Sequence, residues 1–216
     1  MRPEARLVAH RGDRCGGFEN SMGAFAAAVA AGARYLEGDV QLTADGVAIM
    51  RHDATSQAWS SLRQQEPETL LLAELLAWLA HHPSVHFFLE LKPEMLIHGQ
   101  ADTVCRQLPI VPTEQLVVIS ASQVLLEAAA RCWPALRLGW VEGDGDPASL
   151  PLSFVFCEQK RLTAIVEQWR ATACIVCYTV NMAQDVPPLL AAGAGLVETD
   201  HFTRMRRELS HADASI

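Results

Sequence analysis

Tyr35-Leu36-Glu37-Gly38-Asp39-Val40-Gln41-Leu42-Thr43-Ala44-Asp45-Gly46-Val47-Ala48-Ile49-Met50-Arg51 reads as two extended segments joined by a turn. Only residues 43–46 separate the runs 35–42 and 47–51, and their closing Asp-Gly step is a hairpin signal. A parallel connection needs about a dozen residues or more, so these two strands must pair antiparallel. The rest of the chain follows another rule. Strand-like runs at 7–9, 85–91, 116–120, 136–141, 154–157, 175–180 and 196–199 are interspersed with helical stretches at 21–31, 70–80, 101–108, 122–131, 161–170, 185–192 and 203–209. That alternation predicts a parallel sheet with helices on its faces. With the 47–51 arm set aside, eight strands remain. Eight βα units in roughly 200–250 residues predict an α/β fold of the TIM (β/α)8 barrel type, with the antiparallel arm after strand 2. An open doubly wound sheet is the structural runner-up. No composition shift marks a second domain, so 1–216 is expected to be a single barrel domain with a polar tail from about 210. Asn20 is the expected N-cap of the first helix and Gly32 its stop; Ser122 is the expected cap of a later one.

Composition narrows the function classes. Half of the 216 residues are hydrophobic, 19% are charged, and the formal net charge is −8. This is material for a packed core. No basic stripe is visible, so no nucleic-acid partner is expected. An anionic substrate would have to be met by a few placed cations. No apolar run reaches the ~18–20 residues of a membrane span, and no export segment precedes the first strand. A cytoplasmic location without stable membrane association is therefore expected; the oligomeric state is not readable. The six cysteines are scattered through apolar runs and read as buried thiols. Cys174 and Cys177 form a C-x-x-C pair, but on a strand residues i and i+3 face opposite sides, which defeats a disulfide or a shared metal.

Polar residues gather where strands end, the place where barrels of this type build their sites. His10 and Arg11 follow the first strand, and Glu37 and Asp39 lie in the second. His52 and Asp53 end the arm, Glu90 and Lys92 end the next strand, and Tyr178, Thr179 and Asn181 end the seventh. Glu198 and Asp200 end the eighth. Glu37 and Asp39 are two apart and share a face, as do Glu90 and Lys92. Three acids converging on the inside of an apolar sheet are costly unless compensated. One divalent cation on Glu37, Asp39 and Glu90 resolves this, and an all-oxygen set favours Mg²⁺ or Ca²⁺. His10 and His52 are candidates for an acid–base pair. Arg11 and Lys92 are candidate phosphate contacts, the first bidentate and the second a point charge.

At these residues the sequence resembles the glycerophosphodiester phosphodiesterase family. The carrying segments are Ala9-His10-Arg11-Gly12, Glu19-Asn20-Ser21, Glu37-Gly38-Asp39-Val40, His52-Asp53, Leu89-Glu90-Leu91-Lys92, Tyr178-Thr179-Val180-Asn181 and Glu198-Thr199-Asp200. The resemblance implies the barrel with its arm, and a divalent ion on Glu37, Asp39 and Glu90. It implies acid–base catalysis by His10 and His52, with His52 favoured as base of the first step. It implies hydrolysis of glycerophosphodiesters to glycerol 3-phosphate and an alcohol, in which a neighbouring substrate hydroxyl can act as first nucleophile.

Departures are local. Phe18 stands where the family usually has proline, Gly38 replaces a larger apolar residue, and Tyr178 replaces a frequent tryptophan in the wall of the alcohol pocket. After His52 only residues 54–69 precede the next helix, with Trp59 and a polar 60–65 stretch, and no sizeable insertion domain. That short cap predicts a more open site that would admit larger alcohols, even a lysophospholipid. Two alternative functions follow: a lysophospholipase D or sphingomyelinase D-like phosphodiesterase, and a catalytically inactive barrel acting as a binding protein.

Overall fold

In the computed structural model, which describes residues 2–143, 145 and 147–213, the hairpin and the ring are both present. The strands are β1 (Leu7–Ala9), β2 (Tyr35–Leu42), β3 (Ala48–Met50), β4 (His86–Leu91), β5 (Leu116–Ser120), β6 (Arg137–Val141), β7 (Leu152–Glu158), β8 (Cys174–Tyr178) and β9 (Leu196–Thr199). All neighbours in the order β1-β9-β8-β7-β6-β5-β4-β2 are parallel, and β1 pairs again with β2, so eight strands close a barrel. β3 lies outside the ring, antiparallel to the far end of β2 with Val40 opposite Met50 and Leu42 opposite Ala48. Because β1 is only three residues long, it pairs with Tyr35 and Leu36 alone, leaving the rest of that edge of β2 to the arm.

The helices are α1 (Met22–Ala30), α2 (Trp59–Gln65), α3 (Leu72–Leu79), α4 (Ala101–Gln107), α5 (Gln123–Cys132), α6 (Leu162–Trp169), α7 (Val186–Ala191) and α8 (Phe202–Asp213). Leu72, Leu75 and Leu79 of α3 fall on one face and are buried against the outer side of the strands. Residues 210–213, expected as the start of a polar tail, continue α8; 214–216 lie outside the described residues. Helix α1 is capped by Ser21, whose Oγ accepts from the Ala24 N–H at 3.2 Å. Asn20, expected in that role, has a different one described below. Gly32, at φ 93°, closes the helix as expected.

Strand parity divides the core. Leu36, Val40, Leu89, Leu91, Val118, Val155 and Val197 face the helices. Val8, Phe88, Val117, Ile119, Phe154, Phe156, Val176 and Leu196 fill the barrel, where Phe88 meets Phe154 and Phe156 edge-on at 4.9 and 5.1 Å. The interior is a packed plug, each fully buried large side chain stabilising by roughly 1.5–3 kcal/mol. One step toward the C-terminal ends of the strands, the same inward columns turn polar. Cys174 packs with the interior while the outward-facing Cys177 lies in the outer core, on opposite faces as parity requires, and all six cysteines are free.

Helix α2 was not expected. The 60–65 stretch has a single buried anchor, Leu62, and so no apolar periodicity. Its first turn is held from a distance: Asp45 of the hairpin turn accepts the Trp59 N–H at 2.9 Å, and Arg63 lies over the Trp59 ring one turn on.

Candidate active site

Above the Phe88 layer, the inward columns of β2, β4 and β9 carry Glu37, Asp39, Glu90 and Glu198. Ligand atoms of Glu37, Asp39 and Glu90 all lie within 4.8 Å of one another. Asp39 is fully buried and Glu37 nearly so. One oxygen on each of Glu37, Asp39 and Glu198 is sealed from solvent without a hydrogen bond. Native proteins rarely leave such atoms orphaned. Burial, and then the charges of Asp39, Glu198 and Glu90, hold the Glu37 carboxyl well above its ordinary value. Glu90 is raised by burial despite the opposing charge of Lys92, with Asp39 adding to the rise. Glu198 is pushed up to about 7 by burial, against the pull of nearby His10. Carboxylates crowded in this way lack positive charge, and a hard divalent cation among Glu37, Asp39 and Glu90 fits both the orphaned oxygens and the donor set.

Two fixed cations line the cluster. Lys92 Nζ donates to Glu90 Oε1 at 3.1 Å and stands 3.5 Å from Asp39 Oδ1. Arg11 Nε lies 3.0 Å from Asp39 Oδ2, its Nη1 donates to Glu19 Oε1 at 2.8 Å, and its backbone N–H donates to Glu37 Oε2 at 3.1 Å. Arg11 adopts φ 54° and Asn20 φ 58°, and the Asn20 N–H donates to the Arg11 carbonyl at 3.0 Å. Non-glycine residues in this region cost energy and cluster at functional sites.

His10 also faces the cluster. Its Nδ1 is 2.8 Å from Asp200 Oδ1, and its Nε2 points at the cluster, 3.9 Å from both Glu37 Oε2 and Glu198 Oε1. Burial works to lower its pKa, but the Glu198 charge and the Asp200 hydrogen bond outweigh this and raise it above ordinary imidazole. His52 is placed differently. It sits on the rim with 38% of its side chain exposed, Nδ1 paired with Asp53 at 2.7 Å, and its carbonyl held by Gln41 Nε2 at 3.1 Å. It lines a cavity of about 500 Å³ together with Phe18, Asn20, Met50 and Pro67. Tyr178 faces inward at the end of β8, its phenol raised by burial and by the surrounding carboxylates Glu158, Glu142, Glu198 and Glu90. Thus Glu37, Asp39, Glu90, His10, Arg11 and Lys92 converge, Tyr178 stands in the same field, and His52 is at the edge.

Two asparagines hold this geometry in the same way. Asn20 Oδ1 accepts the backbone N–H of Asp39 and its Nδ2 donates to Asp39 Oδ2, both at 2.9 Å. Asn181 Oδ1 accepts the Asp200 N–H at 3.0 Å and its Nδ2 donates to Asp200 Oδ2 at 2.8 Å. Gly38 makes the first clamp possible. A Cβ there would lie 2.9 Å from Asn20 Oδ1 and 2.9 Å from the Phe25 ring, so the residue between the two acids has to be small. Replacing Asn20 by alanine is expected to lower unfolding stability by about 1–3 kcal/mol, because it strands the buried Asp39 N–H and removes one of the two partners of Asp39 Oδ2. Urea unfolding checks this; an unchanged midpoint would show that the clamp carries no weight.

Fold and site together define a TIM-type barrel with a cation-ready acidic centre, flanked by fixed cations and an oriented histidine, at the C-terminal mouth. Residues 10–101 match the model of the glycerophosphoryl diester phosphodiesterase family, and the motif set read from the sequence runs on to Asp200. The match spans less than half of the chain and marks a similarity to that family of phosphodiesterases. A phosphodiesterase from Oleispira antarctica, solved with the product sn-glycerol-3-phosphate, superimposes with TM-score 0.77 over 95% of this chain and 96% of its own at 20% identity. A glycerophosphodiester phosphodiesterase from Parabacteroides distasonis gives 0.78 over 99% and 100% at 18% identity. A protein from Silicibacter pomeroyi gives 0.78 over 97% and 94% at 20% identity. At such identities these likenesses establish the barrel fold. Among the described residues no helix is long and apolar enough to cross a membrane.

Proposed function

We propose that this chain hydrolyses glycerophosphodiesters to glycerol 3-phosphate and an alcohol, with His10 and His52 exchanging the protons and Glu37, Asp39 and Glu90 holding one Mg²⁺ or Ca²⁺. The observation that carries the reading is the set of buried, hydrogen-bond-free carboxylate oxygens beneath an oriented imidazole. A bound sn-glycerol-3-phosphate in the Oleispira antarctica relative supports a small phosphate ester as ligand. Six free thiols fit a reducing compartment, and the cytoplasm is the proposed one.

A bound divalent ion would supply charge stabilisation to non-bridging phosphate oxygens. The rest falls to the chain. Arg11 and Lys92, held at the cluster by Glu19, Asp39 and Glu90, meet the phosphate with fixed charge before the reaction begins. His52, partly exposed on the rim of the cavity where the ester would enter, takes the proton of the attacking hydroxyl. Asp200 accepts from Nδ1 of His10 and stabilises its imidazolium, so that Nε2 can protonate the leaving alkoxide. In the second half-reaction the roles reverse as water opens a cyclic phosphate.

The leaving alcohol is assigned to the cavity beside His52, whose volume of about 500 Å³ suits a small-molecule group. Its wall comes from Phe18 and the 65–69 segment, the places where the sequence departs from its family. Glycerol 3-phosphate release should be measured from glycerophosphocholine, glycerophosphoethanolamine and glycerophosphoinositol in each metal, with lysophospholipids alongside. Comparable rates on the three are expected. Strong discrimination among them would contradict a permissive alcohol side, and no release from any would sink the proposed reaction. The apolar Phe18, Met50 and Pro67 in that wall favour lysophospholipids as the second substrate class, read out as lysophosphatidic acid.

A further inference from the structure

We propose that His10, Glu37 and Glu198 form a second cation site, selective for a borderline divalent ion such as Zn²⁺, and that its occupation withdraws His10 from catalysis. The binding claim is independent of the proposed reaction; the inhibition rests on it. Ligand atoms of the three residues lie within 4.8 Å of one another. The separations of 3.9 Å from His10 Nε2 to Glu37 Oε2 and to Glu198 Oε1 are too long for hydrogen bonds. Two ligands about 2.0–2.2 Å from a tetrahedral zinc stand roughly 3.3–3.6 Å apart, so each His10–carboxylate pair would have to close by only a few tenths of an ångström.

Three further observations point to a ligand. Glu198 is 4% exposed and its Oε2 has no hydrogen bond, as is also true of Glu37 Oε1. Arg11 and Lys92 make their ion pairs with Asp39, Glu19 and Glu90, whereas the ion-pair contact of Glu198 is His10. Among the described residues, no lysine or arginine makes an ion pair with Glu198, and a first ion on Glu37, Asp39 and Glu90 would not change that. Finally, the far nitrogen of His10 is held by Asp200, which Asn181 clamps in turn. A carboxylate behind the imidazole is the usual support of a metal-ligating histidine. The donor sets differ in taste. The all-oxygen group suits Mg²⁺ or Ca²⁺, and the group that includes an imidazole suits Zn²⁺. Glu37 belongs to both, so the two ions would be neighbours.

The test uses the full chain saturated with Mg²⁺. Equilibrium dialysis against Zn²⁺, with both metals measured, is expected to show at least one tightly held Zn²⁺ and retained Mg²⁺. The Glu198→Gln chain should hold one Zn²⁺ fewer under the same conditions, and Glu198→Asp should weaken that Zn²⁺ at least ~10-fold, as loss of a ligand or its support does. Co²⁺ in place of Zn²⁺ should give wild-type absorption bands that Glu198→Gln lacks. Zn²⁺ should inhibit hydrolysis by the Mg²⁺-loaded wild type, with its half-inhibitory concentration at least ~10-fold higher in Glu198→Asp. One-for-one displacement of Mg²⁺, no bound Zn²⁺, or equal Zn²⁺ uptake by wild type and Glu198→Gln would each overturn the site. In those cases a protonated His10 bridging the two carboxylates would explain the geometry. If no glycerophosphodiester is hydrolysed at all, the dialysis and Co²⁺ results still decide the binding claim, and that failure belongs to the proposed reaction.

Discussion

His10→Ala is expected to lower kcat on glycerophosphocholine by at least ~10²-fold, and His52→Ala by a similar or larger factor, the range for loss of a general acid or base. The two variants should then separate on a substrate with a better leaving group. His10 is buried, its ring fixed by Asp200 and its Nε2 turned into the cluster, which suits protonation of a leaving alkoxide. His52 is partly exposed at the mouth of the cavity, with Asp53 paired to its ring. A p-nitrophenyl phosphodiester needs no proton on its leaving group. In the first half-reaction, read as the first-turnover release of p-nitrophenol, His10→Ala should therefore recover most of its lost rate, while His52→Ala should stay impaired. The opposite pattern would exchange the two roles. Near-normal turnover of either variant on glycerophosphocholine would remove that histidine from the reaction.

The contrast between the two histidines shows how far strand parity reaches. Parity alone put Glu37 and Asp39 on one face and Leu89 and Leu91 on the other, because β-strands alternate strictly and the interior is small. The same rule applied to Glu198 and Asp200 would have brought both into the cluster. Asp200, however, lies one residue past the end of β9 at Thr199, where strand parity no longer holds, and of the two it is Glu198 that groups with the other acids. Asn20 was illegible for a different reason. Its position before Ser21 has the local look of a cap, and its bonds run to Asp39, nineteen residues away. Helix α2 was hidden likewise, since its support comes from Asp45 in another turn. Gly38 looked like a loss of bulk in the sequence, and its reason appears only with the Asn20 amide and the Phe25 ring packed against it. Periodicity thus shows which face a residue takes. Contacts between distant segments, which position the functional groups, leave no local trace.

EDTA is expected to abolish hydrolysis, with Mg²⁺ or Ca²⁺ restoring it, and the same treatment should register in stability. Glu37, Glu90 and Glu198 have folded-state pKa values above their ordinary ones, Glu198 at about 7. An acid raised in this way binds more protons folded than unfolded, so stability falls as pH rises from the ordinary carboxylate value through the folded value. The EDTA-treated chain should therefore lose Tm between about pH 5 and pH 8. Asp200 acts with the opposite sign. Its hydrogen bond with His10 holds it below the ordinary value, so its contribution is already complete above about pH 4 and cannot cause that loss. A divalent ion among the carboxylates favours their charged forms and should flatten the slope. At pH 7.5, an ion present at a hundred times its Kd adds about 2.7 kcal/mol. For a chain of 216 residues, at roughly 2–4 °C per kcal/mol, this is a rise in Tm of about 5–10 °C. Full activity in EDTA, with a Tm that neither metal nor pH moves over this range, would leave the orphaned oxygens of Glu37 and Asp39 without a divalent ion and the proposed chemistry without its charge.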